Sequence, residues 1–118
     1  MVTLARAKQL ALSLPEVEEK SHFNQPDFRV KGKIFAVLHP DKHDMMVKLS
    51  VIDQSVFCSI DKVVIYPVPG GWGRKGATLV NLKKVDNSIL MDALTTAWKT
   101  VAPPKLVAKY FRDENDSV

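Results

Sequence analysis

Trp72, Arg74 and Lys75 crowd one short stretch of the segment Tyr66–Lys84, YPVPGGWGRKGATLVNLKK. An indole offers a π-face on which a base can stack, and a guanidinium beside an ammonium neutralises phosphates. The same segment holds two prolines and four glycines. Glycine admits positive φ, and proline fixes φ and removes a donor, so this chain must leave a sheet and return. The pattern predicts a hairpin-like wing whose tip carries an aromatic and two cations. A plain turn with Trp72 folded back onto the sheet edge satisfies the same residues.

Other groups with chemical potential are fewer. Arg29, Lys31 and Lys33 flank Gly32, and alternate strand residues share a face, so they form a candidate second wing. Charges spaced along an edge strand would equally guard it against aggregation. Lys83 and Lys84 stand where a strand meets a helix and add modest phosphate-binding capacity. His39, Asp41, His43 and Asp44 have ligand chemistry but decorate a Pro-Asp-Lys turn, and no metal is expected there. His22 reads as a partly buried histidine beside the first hairpin. Cys58 has apolar neighbours, VFCSI, which raise a thiol pKa, and it lacks a readable His-Asp partnership. Glu16, Glu18 and Glu19 do not form a tuned acid–base pair. Glycines 70, 71, 73 and 76 match neither a Walker A loop nor a dinucleotide fingerprint, because a strand follows them where a helix should begin. The chain is therefore expected to be non-enzymatic, with no catalytic residues, cofactor or metal.

These groups need elements to hold them. Thr3 caps a helix with Leu4, Ala7, Leu10, Ala11 and Leu14 at helical spacing, and Pro15 stops it. Val17 to Lys20 reads as a short strand. Phe28 to Leu38 reads as two strands around a tight Lys-Gly-Lys turn, the first of them a half-exposed edge. Pro40 to Asp44 is a turn and Met45 to Val51 a third strand. Asp53 is the expected cap of a short helix, Gln54 to Ile60. Val63 to Tyr66 is extended, and Ala77 to Leu82 is the last strand. Asp86 caps the strongest helix, Asn87 to Val101, whose apolar face runs from Ile89 to Val101. Pro103 and Pro104 break it before a final turn through Leu106, Val107, Tyr110 and Phe111. Residues 1–111 form one domain, and residues 112–118 form a polar tail expected to fray. The order lacks βαβ alternation. It predicts an α+β sandwich: a curved antiparallel sheet of about five strands with the N- and C-terminal helices on one face.

The chain has 118 residues, 46% of them hydrophobic and 25% charged, ordinary values for one soluble domain. No apolar run reaches bilayer length, and the N-terminus lacks a signal-peptide pattern, so no membrane association is expected. The single cysteine excludes an internal disulfide and fits a reducing cytoplasm. The net charge of +4 is unevenly placed. Residues 61–85 hold five basic side chains against one acid, and the remainder holds twelve of each. A localised basic stretch permits polyanion binding.

The stretch LALSLPEVEEKSHFNQPDFRVKGKIFAVL resembles the start of the MmcQ/YjbR family of small bacterial proteins. The matching features are Leu14-Pro15, the Glu-containing linker Glu16 to Glu19, and Phe28, Val30, Gly32, Lys33, Phe35 and Ala36. The second half is also similar, through Pro69 to Gly76, Thr78 to Leu82 and ALTTAWKTVAPPKL from Ala93 to Leu106. The resemblance implies a fold like the bacterial frataxin and secretion-chaperone class, and a DNA-binding role through a double-wing arrangement. Ala77 departs from the family's aromatic after the Gly76 position, which removes a second stacking side chain from this wing. The expected function is thus weak, salt-dependent DNA binding through Arg74, Lys75, Trp72, Lys83, Lys84, Arg29, Lys31 and Lys33. The alternative is a protein-interaction or chaperone-like module, a homodimer included, with an apolar patch around Met45, Met46 and Phe57. A third reading is a small-ligand or metal binder on the concave sheet face.

Overall fold

The computed structural model describes residues 1–111; the polar tail lies outside them. Thr3 caps α1 (Leu4–Leu12), its hydroxyl accepting the Arg6 N–H at 3.1 Å. Four strands follow: β1 (Val17–His22), β2 (Gln25–Val30), β3 (Lys33–His39) and β4 (Asp44–Lys48). Then come α2 (Val51–Cys58), β5 (Ile65–Pro67), the single turn α3 (Gly71–Arg74) and β6 (Ala77–Asn81). The chain closes with α4 (Asn87–Val101) and α5 (Pro104–Tyr110). All neighbouring strands are antiparallel, in the order β1-β2-β3-β4-β6-β5. The sheet is open and has six strands, because β1 and β5 both join it.

Hydrophobic alternation sets which face is covered. Ala36 pairs with Phe28 and Val47, Leu38 with Met45, and Met45 with Val80. All of these are buried, beneath α1 and α4. The register slips between Phe28 and Arg29, leaving Phe35 as an extra residue in β3. Such a bulge bends the strand, and here it turns both Phe35 and Ala36 inward. α4 buries Leu90, Ala93, Leu94, Ala97 and Trp98 against the sheet. Trp98 is fully buried, yet its indole N–H donates to Pro15 O at 2.9 Å, so it costs no unpaired donor.

Several sequence expectations are corrected. The short helix begins at Val51 and its cap is Ser50, whose hydroxyl accepts the Asp53 N–H at 3.0 Å; Asp53 lies in the first turn. β2 is an inner strand, since β1 occupies the edge, so the charges of β2 do not guard an edge. The glycine-rich excursion is a helical turn, not a hairpin tip. Met45, Met46 and Phe57 form no common patch: Met45 is buried, Met46 lies on the opposite sheet face, and Phe57 is half-buried against the core. Among the described residues, no helix is long and apolar enough to cross a membrane.

Candidate nucleic-acid interface

The turn that carries Trp72 is held by backbone approach and by one buried amide. Gly70 enters it at φ 88°. A Cβ at Gly73 would sit 1.7 Å from Val68 O, and one at Gly76 would sit 1.9 Å from Leu49 O. Only glycine permits these contacts, which is why the segment needs it at these two positions. The side chain of Gln54, buried on α2, donates through Nε2 to Gly73 O at 2.8 Å and Ala77 O at 3.1 Å. Thr78 Oγ1 lies 3.2 Å from the same nitrogen and itself donates to Gly76 O at 2.8 Å. On this clamped turn Trp72 is 72% exposed. It does not fold back into the core. Arg74 and Lys75 beside it are also exposed.

Strand register places the second basic turn at the same end of the sheet. Val30 pairs with Lys33, Lys48 with Ala77, and Thr78 with Pro67, so these ends lie together. Lys31 and Gly32 make the β2–β3 turn, both at positive φ. Lys33 borders a hollow that includes Thr100 and Val101 of α4. Trp72, Lys75 and Lys48 border another hollow that includes the same two residues. The C-terminal end of α4 therefore lies between the two turns, and Lys99 in its last turn adds a further cation. Lys33, Lys48, Arg74, Lys75 and Lys99 have no carboxylate partner among the described residues. Lys99 does stand over the Phe111 ring, 4.9 Å from its centroid.

The remaining sequence candidates are placed elsewhere or are engaged. Arg29 points to the open sheet face and pairs with the buried carboxylate of Asp27, at 2.9 and 3.3 Å. That hydrogen bond pushes the Arg29 pKa up. Lys31 is bridged to Glu16 at 3.1 Å, and Tyr110 OH donates to the other Glu16 oxygen at 2.9 Å. The Lys31 hydrogen bond first, then that of Tyr110, holds the Glu16 carboxyl below its usual range. Lys83 and Lys84 follow β6 and stand at the opposite end of the sheet. His39 Nδ1 binds Asp44 at 2.6 Å, whereas His43 turns to Val2 O at 3.1 Å and Asp41 is exposed. The described residues contain no group of three metal-ligating side chains. His22 is exposed, edge-on to Phe23. Burial pushes the Cys58 thiol up.

Sequence reading missed Lys48, Lys99 and Gln54. Lys48 and Lys99 join the basic end only through strand register and the length of α4. Gln54 carried a faint signal, a lone amide among the apolar residues of VIDQSVF.

A family model described as YjbR matches residues 12–100. Among solved structures, the crystal structure of the Deinococcus radiodurans protein DR2400, which carries a DUF419 domain, aligns with a TM-score of 0.67. The identity is 18%, over 98% of this chain and 86% of that one, so the likeness is one of fold. No curated protein matches the sequence significantly.

Proposed function

The chain belongs to the YjbR family, and from that premise we propose that it is a non-enzymatic DNA-binding protein whose contact surface is the basic end of the sheet. The observation that supports this is the convergence of two turns, Lys31–Lys33 and Trp72–Lys75, on either side of the α4 C-terminus. Five cations there lack carboxylate partners among the described residues, and an exposed indole stands among them. Cations of this kind bind phosphates and Trp72 stacks on an accessible base. Among the described residues no helix presents a basic reading face to a major groove, so binding is to the backbone and weak, in the non-specific range of about 10⁻⁴ to 10⁻⁶ M.

Roughly four to five phosphate contacts give a slope of log affinity against log salt near −4. Fluorescence anisotropy of labelled single- and double-stranded DNA at two salt concentrations measures it. Arg74→Ala with Lys75→Ala should lower affinity and flatten the slope by about two units. Lys83→Ala with Lys84→Ala, at the far end, should leave both unchanged. Equal losses from the two pairs, or no binding at low salt, would remove the proposal. The interaction-module reading would then lead, because Ile52, Val56 and Ile60 form an exposed apolar stripe on and just beyond α2.

A further inference from the structure

We propose that the open face of the sheet is a binding site for a small aromatic monoanion, of carboxylate or sulfonate type. This site shares Trp72 and Lys48 with the phosphate surface, but it takes a different ligand and makes no use of Arg74 or Lys75.

The helices α1 and α4 cover one sheet face only, and the outward positions of such a sheet are ordinarily polar. Here one outward row reads Val37, Met46 and Leu79 across three neighbouring strands, in direct register. Ile34 and Ala77 extend that apolar surface toward the Lys48 end of the sheet. All five side chains are half-buried and line an open groove. Val68, Pro69 and Trp72, from the segment around α3, rise along one side and make the face concave. The resulting groove measures about 510 Å³, within the range of small-molecule sites and suited to a body of two or three rings.

Its polar groups sit at the rim, and they favour an anion. Asp44 is buried and accepts from His39 Nδ1 at 2.6 Å, which fixes the imidazole and leaves Nε2 without a partner among the described residues. Lys42 and Lys48 border the groove and have no carboxylate partner there. Two ammonium groups, Lys42 and Lys48, stand against the one carboxylate of Asp44, so the formal charge at the rim is net positive. A neutral apolar ligand would leave that excess unmatched, and a cation would be repelled. An aromatic body is favoured because Trp72 contributes an exposed ring at the wall.

The test uses 8-anilinonaphthalene-1-sulfonate, an aromatic monoanion, and N-phenyl-1-naphthylamine, the same ring system without charge. Titration followed by probe fluorescence, tryptophan quenching and calorimetry should show one saturable sulfonate site per chain. Lys42→Ala with Lys48→Ala should weaken the sulfonate by about three- to tenfold and leave the neutral probe unchanged. Met46→Glu, on the outward face and away from the core, should abolish binding of both probes with the thermal transition retained. Arg74→Ala with Lys75→Ala should leave the sulfonate site intact, so failure of the DNA reading and failure of this one are distinguishable. Non-saturating binding, insensitivity to Met46→Glu, or equal loss of both probes on lysine removal would overturn the proposal. Sedimentation showing a dimer that the probe dissociates would overturn it too, with a second copy of the chain as the true occupant.

Discussion

Gln54 is a buried polar side chain, and its replacement tests whether the turn carrying Trp72 is held as described. Its Nε2 has two protons for three acceptors: Gly73 O, Ala77 O and Thr78 Oγ1. Gln54→Leu keeps the volume and removes both donors. The acceptors are not orphaned, because Gly73 O also receives the Gly76 N–H at 3.1 Å and Ala77 O the Val68 N–H at 3.0 Å. The full penalty for a buried unpaired carbonyl is therefore avoided, and the loss is that of two net hydrogen bonds, about 1–3 kcal/mol together. A chain of this length unfolds with about 4 °C of Tm per kcal/mol, so the transition should fall by roughly 4–12 °C.

Gln54→Glu makes the sharper comparison. An ionised carboxylate at this position accepts only, and it faces carbonyl oxygens that also only accept. It should be more damaging than leucine at neutral pH. Burial raises the folded-state pKa of such a carboxyl above its unfolded value. Its stabilising protonated form, which donates one bond, is thus fully present below the unfolded pKa and lost as pH rises through the folded one. The Gln54→Glu protein should regain stability on acidification relative to Gln54→Leu. Thermal melts by circular dichroism across pH measure this, and DNA anisotropy should show weaker binding in both variants as Trp72 loses its support. An unchanged Tm for Gln54→Leu, or identical pH profiles for the two variants, would refute the clamp.

Three other outcomes follow from local geometry. Gly76→Ala meets backbone at 1.9 Å with φ at +112°, so neither partner can yield cheaply, and the cost should be about 3 kcal/mol or more in urea unfolding. Gly71→Ala faces open space at an ordinary φ and should stay within about 0.5 kcal/mol of the parent. Asp86 caps α4 by accepting the Ile89 N–H at 2.8 Å, and this bond first, then those from Ser88, hold its carboxyl below the ordinary 3.8. The extra stability from the ionised cap is complete above that ordinary value and is lost as pH falls through the lower folded one. The Tm gap between the parent and Asp86→Asn should therefore be present near neutrality and close on acidification, whereas a gap constant with pH would assign the effect to something other than the charge.

Local chemistry was legible where it acts on neighbours in the chain. Thr3 and Asp86 announced their helices, and Lys31-Gly32 announced a two-residue turn, because caps and turns depend on residues only a few positions apart. Ser50 was missed as a cap because Asp53, three positions on, offers the same chemistry and local pattern cannot rank them. The helical turn at Gly71–Arg74 was missed for a different reason. Its glycines look like breakers, and the turn forms because Gln54, distant in sequence, supplies the hydrogen bonds that hold it. The apolar row Val37, Met46 and Leu79 was invisible as a row, since each residue alone reads as one more buried strand position. Only the register shows that they point away from the helices.

The basic end has a simpler logic, which rests on the parity of an antiparallel sheet. Each tight turn reverses the chain, so the connections β1–β2 and β3–β4 lie at one end and β2–β3 at the other. β4 finishes at the Lys33 end, α2 carries the chain back across, and β5 then runs toward that end again. The segment between β5 and β6 must return there, and the segment after β6 cannot. Parity thus groups Lys33 with Arg74 and Lys75 and separates them from Lys83 and Lys84, although the latter pair is nearer to Arg74 in sequence. A charge sum over residues 61–85 pools cations from both ends of the sheet and so overstates the local field. Lys48 and Lys99, outside that window, replace what the sum wrongly includes. The relevant charge for a polyanion lies within about a Debye length of the docked phosphates, and it is topology, not proximity in sequence, that decides which lysines fall inside that distance.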